Sequence, residues 1–223
     1  MKRTPLSERT LPNYTRKNEI ANMVTHIVGG SLGIIILFLC VITSAFKGDT
    51  WGIVGSAIYG LSMIAVYTVS SVYHGLKPCF AKKVMQVIDH CTIYLLIAGT
   101  YTPILLVAMR PVYPKTAWFV FAAEWTLAAL GAVFTAIDHN RYKKLSMVFY
   151  ILMGWFIVLA LKQTIEVLTV AGMLWILFGG ISYTIGAVLY GIGKKYPVLH
   201  TVFHIFVDIG TLLQAIGILL YVL

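Results

Sequence analysis

Two histidines one helical turn apart, His200 and His204 in the stretch HTVFH, project from one face of any helix that carries them. Imidazoles at that spacing can share one metal ion, as on the HExxH helix, although no glutamate lies between them here. A third ligand must come from elsewhere. His74 ends the stretch SSVYH, with Ser70 one turn earlier on the same face. Three histidines leave the fourth position of a tetrahedral ion open, which is the arrangement of a catalytic site. Zinc suits that ligand set, while iron and cobalt stay open on ligand type alone. Asp89, in VIDH, could take a proton from a water at the open position or orient it. Ser70 could hydrogen-bond the same water or fix His74. The plainer alternative is that both pairs brace neighbouring helices, or that Ser70 bonds back to its own helix.

The elements that must position these residues are set by composition. The chain has 223 residues, 59% hydrophobic and 11% charged, with mean hydropathy +0.86. Soluble domains carry about 25% charge, so this chain is built for lipid. A spanning helix needs roughly 20 apolar residues. Runs of that kind predict seven spans, at 20–45, 51–74, 85–109, 116–137, 145–161, 167–191 and 198–222. The fifth is the shortest, with its end marked by Lys162 and Glu166. Only helices or closed barrels satisfy their backbone in lipid, and the alternation a barrel needs is absent. The expected fold is therefore all-α, a seven-transmembrane helix bundle. It forms one domain over 20–223, preceded by a basic cytoplasmic tail at 1–19. The first span is too long for the apolar core of a cleaved signal peptide, so it is expected to stay as a permanent span. Three cysteines without a CxxC pair argue against a disulfide framework.

Orientation follows from the cations. One side collects Lys2, Arg3, Arg9, Arg16 and Lys17, then Lys77, Lys82 and Lys83. To these it adds Arg141, Lys143 and Lys144, and finally Lys194 and Lys195. The other side holds Lys47, Arg110, Lys115 and Lys162, the remaining four of 17. The amino terminus is expected in the cytoplasm and the carboxyl terminus outside, in the plasma (inner) membrane. This asymmetry accounts for the net charge of +9 without invoking nucleic acid.

With that direction, all six histidines fall in the cytoplasmic half. Ser70, Asp89, Glu19 and Asn22 share the layer. An ionisable side chain near the bilayer centre costs at least ~2.5–3.5 kcal/mol, so such residues face a cavity or a partner. Their joint placement favours one metal site near the inner leaflet over scattered braces.

The stretches EIANMVTH (19–26), SSVYH (70–74), IDHCTIYLLIAGTYTP (88–103) and HTVFH (200–204) resemble the haemolysin III family of bacterial membrane proteins. That family is the bacterial branch of the progestin and adiponectin receptor superfamily and is remotely similar to alkaline ceramidases. The resemblance covers essentially all seven spans. It implies a zinc ion held by His74, His200 and His204, with Ser70 and Asp89 beside the metal-bound water. It also implies that Glu19, Asn22 and His26 brace the site through hydrogen bonds.

Two classes of function then compete. The first is a zinc-dependent hydrolase that takes a lipid amide or ester from the inner leaflet, the amide being favoured by the ceramidase resemblance. The second is a cytolytic, haemolysin-like pore or channel, or a sensor or transporter with a structural zinc. A transport path should continue polar groups across the bilayer, and only Glu124 and Asp208 offer deeper ionisable steps. Membrane lipids are the expected partners.

Overall fold

The computed structural model describes residues 3–193 and 196–223. Lys2, Lys194 and Lys195, used above for orientation, lie outside the described residues. Six helices follow a short 3-10 turn at Leu6–Glu8. They are α1 (Arg16–Phe46), α2 (Thr50–Gly75), α3 (Phe80–Pro103), α4 (Pro114–Gly154), α5 (Leu161–Gly193) and α6 (Val198–Tyr221). A π segment, Ile104–Met109, extends α3, and a 3-10 turn, Phe156–Ala160, joins α4 to α5. Among the described residues, five helical stretches are long and apolar enough to cross a membrane.

Local chemistry explains the boundaries. Thr15 caps α1 by accepting from the Asn18 amide, and Asp49 caps α2 by accepting from Trp51. Gly48, at φ 66°, turns the corner between them in a conformation that disfavours any side chain. Pro103 has no amide hydrogen and its ring crowds the preceding turn, so the regular ladder gives way there to the wider π segment.

The amphipathic order is inverted relative to a water-soluble bundle. On α1 the buried stripe is small and polar: Glu19, Asn22, His26, Gly29, Gly33 and Ser44, with Ile36 and Cys40. The exposed face carries Ile27, Ile34, Ile35, Phe38 and Ile42. With lipid outside, apolar side chains gain nothing by hiding, and polar groups must find partners inside.

The stretch from Pro114 to Gly193 is almost entirely helical, but it folds back on itself twice. Residues 11 apart on one straight helix lie about 16 Å apart, yet the Thr135 and Ser146 hydroxyls meet at 3.0 Å. The reversal sits at Asp138, whose backbone (φ −159°, ψ 90°) is not helical. Likewise Trp155 Nε1 donates to Thr184 Oγ1 at 3.1 Å, where an unbroken helix would separate them by about 43 Å. That second reversal is at Thr169, with φ 62°. The sequence had marked this boundary at Lys162 and Glu166. The helix instead passes both, because an isolated charge can stay in a helix near its end, and Thr169 then receives the Gly172 amide as the cap of the next arm.

Candidate metal centre

α1, α2 and α6 meet at their histidine-bearing ends. One ring nitrogen from each of His74, His200 and His204 lies within 4.8 Å of the other two, and all three residues are buried. His200 and His204 face one another through their Nε2 atoms at 3.1 Å, as the one-turn spacing requires. His74 reaches them from α2, with its ring centre 5.1 Å from that of His204.

The surroundings fix which nitrogen of His74 and of His204 is bare. His74 Nδ1–H donates to Glu19 Oε2 at 2.7 Å, so its Nε2 carries a lone pair. Glu19 is held in turn by the Lys82 ammonium, 2.8 Å from Oε1. The Thr25 hydroxyl spends its proton on the Asn22 carbonyl at 2.8 Å, so at 3.4 Å from His204 Nδ1 it accepts. His204 Nε2 is therefore bare as well. The carboxylate behind the far nitrogen of His74 and the hydroxyl behind that of His204 give the outer support that metal-ligating histidines use. This donor set could hold a divalent ion that favours nitrogen ligands.

Asn22 accepts from the Thr201 hydroxyl at 2.5 Å and lies 3.5 Å from His74 Nδ1, tying α1 to both ligand helices. His26 meets the cluster differently. Its ring stacks on His204 at 3.7 Å and 16° and is edge-on to Tyr67, while neither ring nitrogen has a hydrogen-bond partner. The sequence reading gave it a hydrogen bond, whereas the fold uses its flat face. Ser70 and Asp89 line a cavity of about 160 Å³ that also touches His200 and His204, and the Ser70 hydroxyl faces the Asp89 carboxylate. The remaining walls are largely aromatic and aliphatic, including Ile97, Tyr101, Met147 and Ile151. His90 is turned away from the three ligands. It bonds the Gln86 carbonyl at 2.8 Å and lies 3.2 Å from the Tyr190 hydroxyl.

Three participants escaped the sequence reading. Lys82 was counted as a loop cation, but it is buried and paired with Glu19. The spacing 82, 86, 89 puts it on the Asp89 face of α3, a signal that a charge count overlooks. Tyr14 stacks on His200 with ring centres 5.0 Å apart and planes 24° apart. Burial, then the nearby Tyr190, Glu19 and Asp89, push its hydroxyl well above its ordinary pKa, so it stays a donor. Tyr190 packs against His200 from α5. Neither tyrosine has a spacing signature, because each arrives from an element remote in sequence.

Comparison with known proteins identifies the family. A family model described as Haemolysin-III related matches residues 14–215. The chain is similar to Hemolysin-3 of Bacillus cereus, 38% identical over 207 residues that cover 93% of each chain. It is also similar to the Hemolysin-3 homolog of Bacillus subtilis strain 168, 37% identical over 93% of this chain and 96% of that one. Monocyte to macrophage differentiation factor of Homo sapiens is 28% identical, over 92% of this chain and 84% of that one. The match begins at Tyr14 and runs through every ligand helix, so the chain belongs to the haemolysin-III-related family of multi-pass membrane proteins.

Proposed function

We propose that the protein is a metal-dependent hydrolase of a lipid amide or ester, with zinc held by His74, His200 and His204. The observation that carries this reading is the convergence of three buried imidazoles, two with bare Nε2 atoms, beside a largely apolar cavity that also exposes a carboxylate and a hydroxyl. Zinc, when bound there, supplies a Lewis acid that polarises a carbonyl and acidifies water. Asp89 accepts a proton from the attacking water and returns it to the leaving group. Ser70 holds the Asp89 carboxylate in line. Glu19 and Asn22 keep the His74 and His204 rings oriented, and His26 walls off the deeper side of His204. The aliphatic and aromatic cavity walls take up an acyl chain and exclude bulk water.

This reading places the protein in the plasma membrane as a seven-span bundle, with its amino terminus and metal centre on the cytoplasmic side. The two reversals at Asp138 and Thr169 and the thirteen-to-four division of cations support it. Residues 1–19 then form the cytoplasmic tail, and 20–223 the membrane domain.

The test is metal content, measured by mass spectrometry on untagged protein in mild detergent, followed by turnover of fluorescent lipid amides and esters. Zinc at about one ion per chain is expected, lost in His204→Ala and kept in Ser70→Ala, with turnover lost in both. Folded protein without stoichiometric metal would sink the proposal.

A further inference from the structure

The segment that precedes α1 contributes Pro12 and Tyr14 to the cavity lining. We propose that residues 3–15 form a strap that closes the metal centre to water-soluble molecules, with Tyr14 as the closing residue and Asp138 as the anchor. The proposal rests on the metal-site reading only for what the strap encloses.

A basic, polar tail is expected to be solvated, but Arg9 is only 3% exposed. Its Nη2 donates to the Ile137 carbonyl at 2.9 Å and to the Thr4 carbonyl at 3.2 Å, and Nε lies 3.9 Å from Asp138 Oδ1. The Thr4 amide donates to Asp138 Oδ2 at 3.0 Å. One carboxylate therefore holds both ends of the loop from Thr4 to Arg9. The same Asp138 breaks α4 and accepts from the Arg141 amide at 3.3 Å, so the anchor is itself part of a fixed reversal. On the other edge, Lys83 Nζ donates to the Ser7 carbonyl at 2.5 Å.

Beyond these pins the strap lies over the site. Pro12 and Tyr14 line the cavity, and the Tyr14 ring covers one face of His200 and approaches His74 to 6.2 Å. Thr15 then caps α1, the helix that carries Glu19. The contacts that hold the strap are hydrogen bonds, a loose ion pair and one stacked ring. When the strap lifts, Arg9 and Asp138 both return to water and no charge is left buried, and each hydrogen bond exchanges for water at small net cost, so the strap can lift without disturbing the bundle. While it is down, the polar approach to His200 is shut. The largely aliphatic and aromatic lining then favours lipid over water-soluble molecules.

The test uses the full chain in detergent with Gln86→Cys, a change on the buried cavity wall. The rate of its reaction with a charged maleimide is read by peptide mass spectrometry, so that Cys79 and Cys91 are scored separately. Adding Tyr14→Ala or Arg9→Gln should raise that rate about tenfold, the scale set by losing one stacked pair or one pinned loop. Tyr14→Phe keeps the ring and should label as slowly as the parent. Equal rates in the parent and in a folded Tyr14→Ala chain would overturn the strap. If Arg9→Gln loses its thermal transition, Tyr14→Ala decides alone. The labelling needs no metal, so a metal-free protein would defeat the hydrolase reading while these rates still judge the strap.

Discussion

Helices α1, α2 and α6 carry the three histidines and most of their supports, and they run without a break. The stretch from Pro114 to Gly193 supplies no ligand and reverses twice. Close packing occurs in both, since a Cβ on Gly179 would meet the Gly210 carbonyl oxygen at 3.0 Å and one on Gly131 would meet the Tyr94 ring; the difference lies at the cavity wall. Between α1 and α2 the backbones close in: a Cβ on Gly60 would meet the Leu37 Cα at 2.8 Å, and one on Gly33 would meet Met63 Cβ at 3.2 Å. Around Gly154 and Gly180, both on the cavity wall, a Cβ would meet nothing within 4 Å. Ligand atoms must be held to a fraction of an ångström, which needs straight helices in close contact. A cavity needs open space, and the wall at Gly154 and Gly180 provides it.

Four changes would break or sharpen that contrast. Asp89→Asn keeps the packing of both halves but removes the base, so turnover of a lipid amide should fall by about 10²–10⁴-fold with zinc content unchanged. Loss of the metal together with turnover would make Asp89 a structural residue. Glu19→Gln weakens the acceptor behind His74, and zinc affinity measured by competition with a chelator should drop about 10–100-fold. An unchanged affinity would mean that the Glu19–His74 contact serves only packing. Gly60→Val should force α1 and α2 apart and lower stability by about 1–3 kcal/mol, read from thermal unfolding in detergent. Gly180→Ala, on the loose side, should be neutral or stabilise by up to about 1 kcal/mol. If these two glycine variants behaved alike, the distinction between a tight α1–α2 contact and an open cavity wall would fail.

Much of the site was legible because its spacing is local. His200 with His204, and Ser70 with His74, are one-turn pairs, so a helix alone brings each pair to one face. Their common depth followed from counting apolar runs. The elements were legible for the same reason, since roughly 20 apolar residues define each run whatever surrounds them. The reversal at Asp138 falls where the sequence ended its fourth run. The reversal at Thr169 lies beyond the expected boundary, because a threonine in an apolar stretch looks like any other helix residue until its hydroxyl caps the next arm.

The sequence by itself determined that the chain is helical and built for lipid, and that His74, His200 and His204 are in a position to share a layer. Helical periodicity and hydropathy are properties of neighbours along the chain. Tertiary structure alone decided which nitrogen of His74 and of His204 is bare, since that depends on Glu19 and Thr25 arriving from α1. It also turned His26 into a stacked wall, buried Lys82 against Glu19, and laid Tyr14 over His200 with Arg9 pinned at Asp138. Each of those contacts joins residues whose separation in sequence carries no period. Only the packing of helices, set by close approach at small residues, brings them within hydrogen-bonding or stacking distance.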